Sequence, residues 1–166
     1  MLDVPEFLLR AVLTGAGATL VMDVWALLLQ RLWGVPSLDY AMVGRWLGHL
    51  PRGRLVHAGI GRSAPVAGEK ALGWVAHYAI GIAFAAALLA LAGEGWARAP
   101  TLWPALAWGV FTVAAPFLAL QPCMGAGLFA RKTPKPAVAR LRSLMAHTVF
   151  GLGLFIAAWA VSQLRG

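Results

Sequence analysis

Apolar residues fill four long runs of this chain: Phe7 to Gln30, Ala71 to Ala92, Leu102 to Leu120 and Leu144 to Leu164. Each is close to the ~20 residues that a helix needs to cross a bilayer. Polar and basic residues gather between the runs, in 31–70 and 121–143, while only a short turn joins the second run to the third. This pattern predicts one membrane domain over 1–166, an all-α integral membrane protein with four transmembrane helices in a compact bundle. The segment 31–70 is too long to be a plain connection, since loops of that length are as a rule functional or disordered. It is not of low complexity. Tyr40 to His49 reads as a short interfacial helix with an apolar and a basic side. Pro51-Arg52-Gly53-Arg54 reads as a turn, and Pro65 and Gly68 lead into the second span.

Composition strengthens the membrane reading. The 166 residues are 60% hydrophobic and 12% charged, with a mean hydropathy of +0.74, against roughly 25% charged residues in soluble domains. A single cysteine, Cys123, excludes an intramolecular disulfide. The first run is expected to stay as a span rather than leave as a signal peptide. Its flank carries Asp3 and Glu6 in place of a basic cluster, and apolar residues continue well past Ala16-Gly17-Ala18.

Charge then sets the orientation. Arg31, Arg45, Arg52, Arg54, Arg62 and Lys70 lie between the first two runs, and Arg131, Lys132, Lys135, Arg140 and Arg142 between the last two. Arg10, Arg98 and Arg165 fall on the other side, together with Asp3, Glu6 and Glu94. The positive-inside rule places both basic loops in the cytoplasm and both termini outside. Trp33 and Trp74 suit the inner interface; Trp96, Trp103 and Trp159 suit the outer one. A net charge of +8 and a pI near 11.1 would suggest nucleic acid in a soluble protein. Here topology accounts for the charge, so the expected partners are the bilayer and its anionic headgroups, with no nucleic acid.

Ionisable residues inside spans are costly and by default mark functional sites. Asp23, His77 and His147 are such residues. Counted from the nearest basic residue at ~1.5 Å per helical position, they lie about 12, 10 and 7 Å into the membrane, in one layer of the cytoplasmic half. Gln121-Pro122-Cys123-Met124-Gly125 closes the third run at that end. Faces with small residues every four positions (Gly73, His77, Gly81, Ala85; Ser143, His147, Gly151) and the row Thr19, Asp23, Leu27 predict that all three point into the bundle.

Three readings of this layer stay open. Two imidazoles and a carboxylate match the ligand set of non-haem iron, and imidazole also suits zinc, copper or haem iron. Gln121 and Cys123 would assist, and Met22, Met124 and Met145 could add thioethers for Cu(I). The same residues could instead pass protons or a substrate, as in a small, oligomeric transporter or channel. Or the layer is a structural polar lock in an accessory subunit. In the first loop, Arg45, Arg52 and Arg54 with His49 and His57 could grip a phosphate or carboxylate at the entrance, or be drawn to anionic headgroups. No Walker A sequence, HExxH pair or GxSxG elbow occurs, so an enzyme is not indicated by motif.

The chain also carries a resemblance. Gly17-Ala18-Thr19-Leu20-Val21-Met22-Asp23, Gly44-Arg45-Trp46 with His49, Arg52-Gly53-Arg54 and His57, and Gly73-Trp74-Val75-Ala76-His77-Tyr78 are part of it. So are Gln121-Pro122, Thr133-Pro134-Lys135-Pro136, Arg140, Ser143-Leu144 and His147 through Gly151. Together they resemble a bacterial family of uncharacterised multi-span inner-membrane proteins, known as a domain of unknown function. The resemblance implies a bacterial inner-membrane location and supplies no activity. It also implies smaller residues at 128–131 than the Leu-Phe-Ala-Arg found here.

Overall fold

The computed structural model of the chain describes residues 3–164, so Arg165, one of the outer basic residues, lies outside the described residues. Every regular element among them is helical. In chain order the α-helices are α1 (Val4–Trp33), α2 (Tyr40–His49), α3 (Glu69–Arg98), α4 (Leu102–Cys123) and α5 (Pro136–Gln163), with short 3-10 turns at Leu50–Arg52, Ile60–Arg62 and Leu128–Ala130. All but α2 are long and apolar enough to cross a membrane. At ~1.5 Å per residue the 30 residues of α1 span about 45 Å, longer than the ~30 Å hydrocarbon core, whereas α3 breaks near its end at Gly93, whose φ is 78°.

Local signals explain the limits. The Asp3 carboxylate accepts the Glu6 N–H at 2.7 Å and starts α1, and Gly34 ends it at a left-handed φ of 64°. Asp39 caps α2 through the Ala41 N–H at 3.0 Å. The last helix begins at Pro136, well before Leu144. The stretch 136–143, expected as loop, is helical because proline at the first helical position suits the missing N–H and the fixed φ. Helix α4 is irregular in its middle. It turns at Thr112 and Val113, winds as a π-helix over Pro116–Leu120 and ends at Cys123. Pro116 has no N–H and its ring crowds the preceding turn; a π turn absorbs that mismatch.

The contacts fall into two compact units. The first comprises Met1–Ser37, Tyr78–Thr112 and Ala146–Gly166. Its core joins Ala11 and Ala18 of α1, Ala85 and Leu88 of α3, and Phe150, Leu154 and Ala158 of α5. Small residues bring the backbones together. A Cβ on Gly15 would overlap Ile82, one on Gly109 would overlap Gly151, and one on Gly153 would press on Ala18. Thr19 is buried there against Gly81, and Asp23 is half-buried, but Leu27 is 44% exposed and leaves the face expected of it. Trp96 is buried, with its indole N–H on the Thr101 carbonyl at 3.2 Å, and Trp103 is 74% exposed. Few residues of α1, α3 and α4 are fully buried, and large apolar side chains such as Leu20, Val75, Leu91 and Phe111 face outward.

The second unit comprises Leu38–His77 and Val113–Met145. Here α2 lies against the first turns of α3, so closely that a Cβ on Gly44 would meet the Glu69 carbonyl and one on Gly73 the Tyr40 carbonyl.

Candidate functional site

In the first unit two titratable groups of the spans have hydroxyl partners. Tyr78 of α3 donates its O–H to Asp23 Oδ2 of α1 at 3.1 Å. Thr112 of α4 gives its one hydroxyl proton to the Gly109 carbonyl at 2.6 Å. The 2.8 Å contact between its oxygen and His147 Nδ1 is then a bond in which the imidazole N–H donates. His77 belongs to the second unit, where its ring stacks on Tyr40 with centroids 4.0 Å apart and an interplanar angle of 24°. Trp74 closes the group with its centroid 5.8 Å from His77. The Gln121 amide donates to Ser143 Oγ at 3.4 Å, while its carbonyl oxygen is buried without a hydrogen-bond partner among the described residues. Cys123 is a half-buried free thiol.

Among the described residues, no three His, Cys, Asp or Glu side chains gather into a group that could hold a metal ion. Sequence reasoning named the titratable members of these pairs and missed Tyr78, Thr112 and Tyr40. A hydroxyl in an apolar run carries little hydropathy signal; only the position of Tyr78 directly after His77 hinted at it.

The entrance candidates divide cleanly. Arg45, 9% exposed, lies along Glu69 with Nε to Oε2 at 2.8 Å and Nη2 to Oε1 at 2.6 Å. Its remaining amino group reaches the carbonyls of Ile60, Gly61 and Ser63 at 3.3–3.5 Å. Hydrogen bonding to the Glu69 carboxylate raises the guanidinium's pKa still further above its ordinary value, so its charge is permanent. Glu69 Oε2 also accepts the Val66 N–H at 2.9 Å. His49, 2% exposed, donates Nε2–H to the Ala64 carbonyl at 3.0 Å, and its Nδ1 has no partner among the described residues. His57 donates Nε2–H to the Arg54 carbonyl at 3.2 Å and takes the Ser63 hydroxyl on Nδ1 at 2.8 Å. The two imidazoles meet edge to face, 5.1 Å apart.

These side chains form a clasp around the loop 50–66. That loop has only two single 3-10 turns, Leu50–Arg52 and Ile60–Arg62, and buried backbone oxygens outside them need donors; Arg45, His49 and His57 supply several. Its other edge is fixed to the end of α4, by His57 N–H to the Cys123 carbonyl at 2.8 Å and Ile60 N–H to the Met124 carbonyl at 3.0 Å. Gly125, at φ 93°, allows that approach, since a Cβ there would collide with Ala58. Arg52 and Arg54, by contrast, are exposed. The segment 128–131 is strained: Phe129 and Ala130 both take left-handed φ, 51° and 56°, which costs L-residues about 1–2 kcal/mol each. Arg140 holds it by donating to the Phe129 carbonyl at 2.7 Å.

The family model described as "Protein of unknown function (DUF2938)" matches residues 12–161, which include every candidate residue above. No curated protein and no solved structure matches the chain. The chain belongs to this family of unknown function.

Proposed function

We propose that this member of the family works as a small proton-linked carrier of the bacterial inner membrane, with both termini outside and both basic loops in the cytoplasm. The observation that carries the reading is the Tyr78–Asp23 hydrogen bond between α3 and α1. A carboxylate in a span is expensive and by default functional. A phenol donating to it provides a partner that can give way to an incoming proton or polar ligand. The Thr112–His147 pair sets a second titratable group of the spans beside a hydroxyl in the same unit. The carrier would bind a small polar ligand from the cytoplasmic side.

The test is proton flux into proteoliposomes, followed with an entrapped pH dye under an imposed gradient. Wild-type protein should dissipate the gradient, and Asp23→Asn should reduce the rate by roughly 10²-fold, the low end for loss of a positioned proton-transfer group. A second reading, an accessory membrane subunit, is favoured by the clasp, whose polar groups are spent on the chain's own loop. It becomes the better one if the wild type shows no flux, or if Asp23→Asn retains it in full.

A further inference from the structure

The clasp holds one piece of surface in a defined shape, the tip Arg52–Val56. Gly53 turns the chain at φ 70°. The Arg54 N–H bonds the His49 carbonyl at 3.3 Å, and the Arg54 carbonyl accepts from His57 Nε2 at 3.2 Å. The Trp46 indole N–H fixes the next carbonyl, that of Leu55, at 2.8 Å. Three hydrogen bonds therefore pin two successive residues, and their side chains project outward. Arg52 and Arg54 are exposed and form no salt bridge with any described carboxylate. Directly after them Leu55 is 53% and Val56 69% exposed.

Two exposed guanidiniums on a held backbone, next to two open aliphatic side chains, are an unfavourable surface in bulk water. At a lipid interface they complement each layer, phosphate for the arginines and the top of the acyl region for Leu55 and Val56. The tip's depth supports that setting. His57, the next residue, is hydrogen-bonded to Cys123, the last residue of the spanning helix α4. We propose that Arg52–Val56 is a built docking site for the phosphate headgroup of an anionic phospholipid in the leaflet where α4 ends. The proposal is independent of the carrier reading, because it needs only the spans and the tip.

The experiment uses the full chain in nanodiscs of phosphatidylcholine alone or of phosphatidylcholine with phosphatidylglycerol, and reads the thermal unfolding midpoint. Wild type should melt several degrees higher with phosphatidylglycerol. R52Q/R54Q should lose most of that difference while matching wild type in phosphatidylcholine, since the bonds that hold the tip are made by its backbone, which the substitutions keep. L55S/V56S should also shrink it, and K132Q/K135Q, which removes two exposed lysines of the other basic loop, should leave it intact. Equal loss in K132Q/K135Q would reduce the effect to diffuse charge and overturn the proposal. So would a full difference in R52Q/R54Q, no difference in wild type, or the same stabilisation by inorganic phosphate in phosphatidylcholine discs.

Discussion

Arg45 shows how one side chain can look like a ligand site and serve the fold instead. Its fork is filled by Glu69 on one side and three loop carbonyls on the other, which leaves a single N–H of its five, on Nη2, and no pair of donors to grip an incoming anion. Lysine cannot replace it, because a compact ammonium lacks the planar fork. Arg45→Lys should therefore open the loop 50–66 locally, raising its cleavage rate by limited trypsin roughly tenfold while the spans stay protected. An Arg45 that served a ligand would leave that rate unchanged. The titratable residues in the spans were readable from the sequence, because charge in an apolar run stands out. Their hydroxyl partners, and the inward aim of His49 and His57, were not. Whether a polar side chain faces a ligand or a carbonyl depends on a loop path that no local pattern encodes.

At the scale of elements, hydropathy reads contact with lipid rather than helicity. It therefore located the cores of all four spans and missed the polar first turns of α5 at 136–143. The limits of α2 were legible, since Asp39 caps it and its faces alternate. The π turn of α4 was not, because proline marks a disturbance and not how the helix absorbs it. Close glycine contacts are the other property of these elements, and they are directional. Gly109→Val would drive side-chain atoms into the Gly151 backbone and the His147 carbonyl and should cost about 1–3 kcal/mol or more, as overpacking does. Gly95→Ala, with open space around its Cβ position, should be neutral or stabilise by up to about 1 kcal/mol. Unfolding of the two variants in one detergent separates them.

For the whole molecule, the sparse burial of the spans means that surrounding lipid is part of what keeps the protein soluble and folded. The proposed orientation makes a sharp statement about access. In spheroplasts of a Cys123→Ala background, Arg54→Cys should resist an impermeant maleimide until the membrane is opened, and Asp3→Cys should react at once; the reverse pattern would invert the topology. The attachment of the loop 50–66 to Cys123 and Met124 also has a consequence for synthesis. The amides of His57 and Ile60 are translated long before the carbonyls that receive them. While the ribosome is still making α4, that loop has no completed seat, and two of its N–H groups must bond water. The first half of the chain can insert early, but its basic segment settles only after the third span has been threaded. A chain stalled before residue 121 would thus lack the carbonyls that seat this segment.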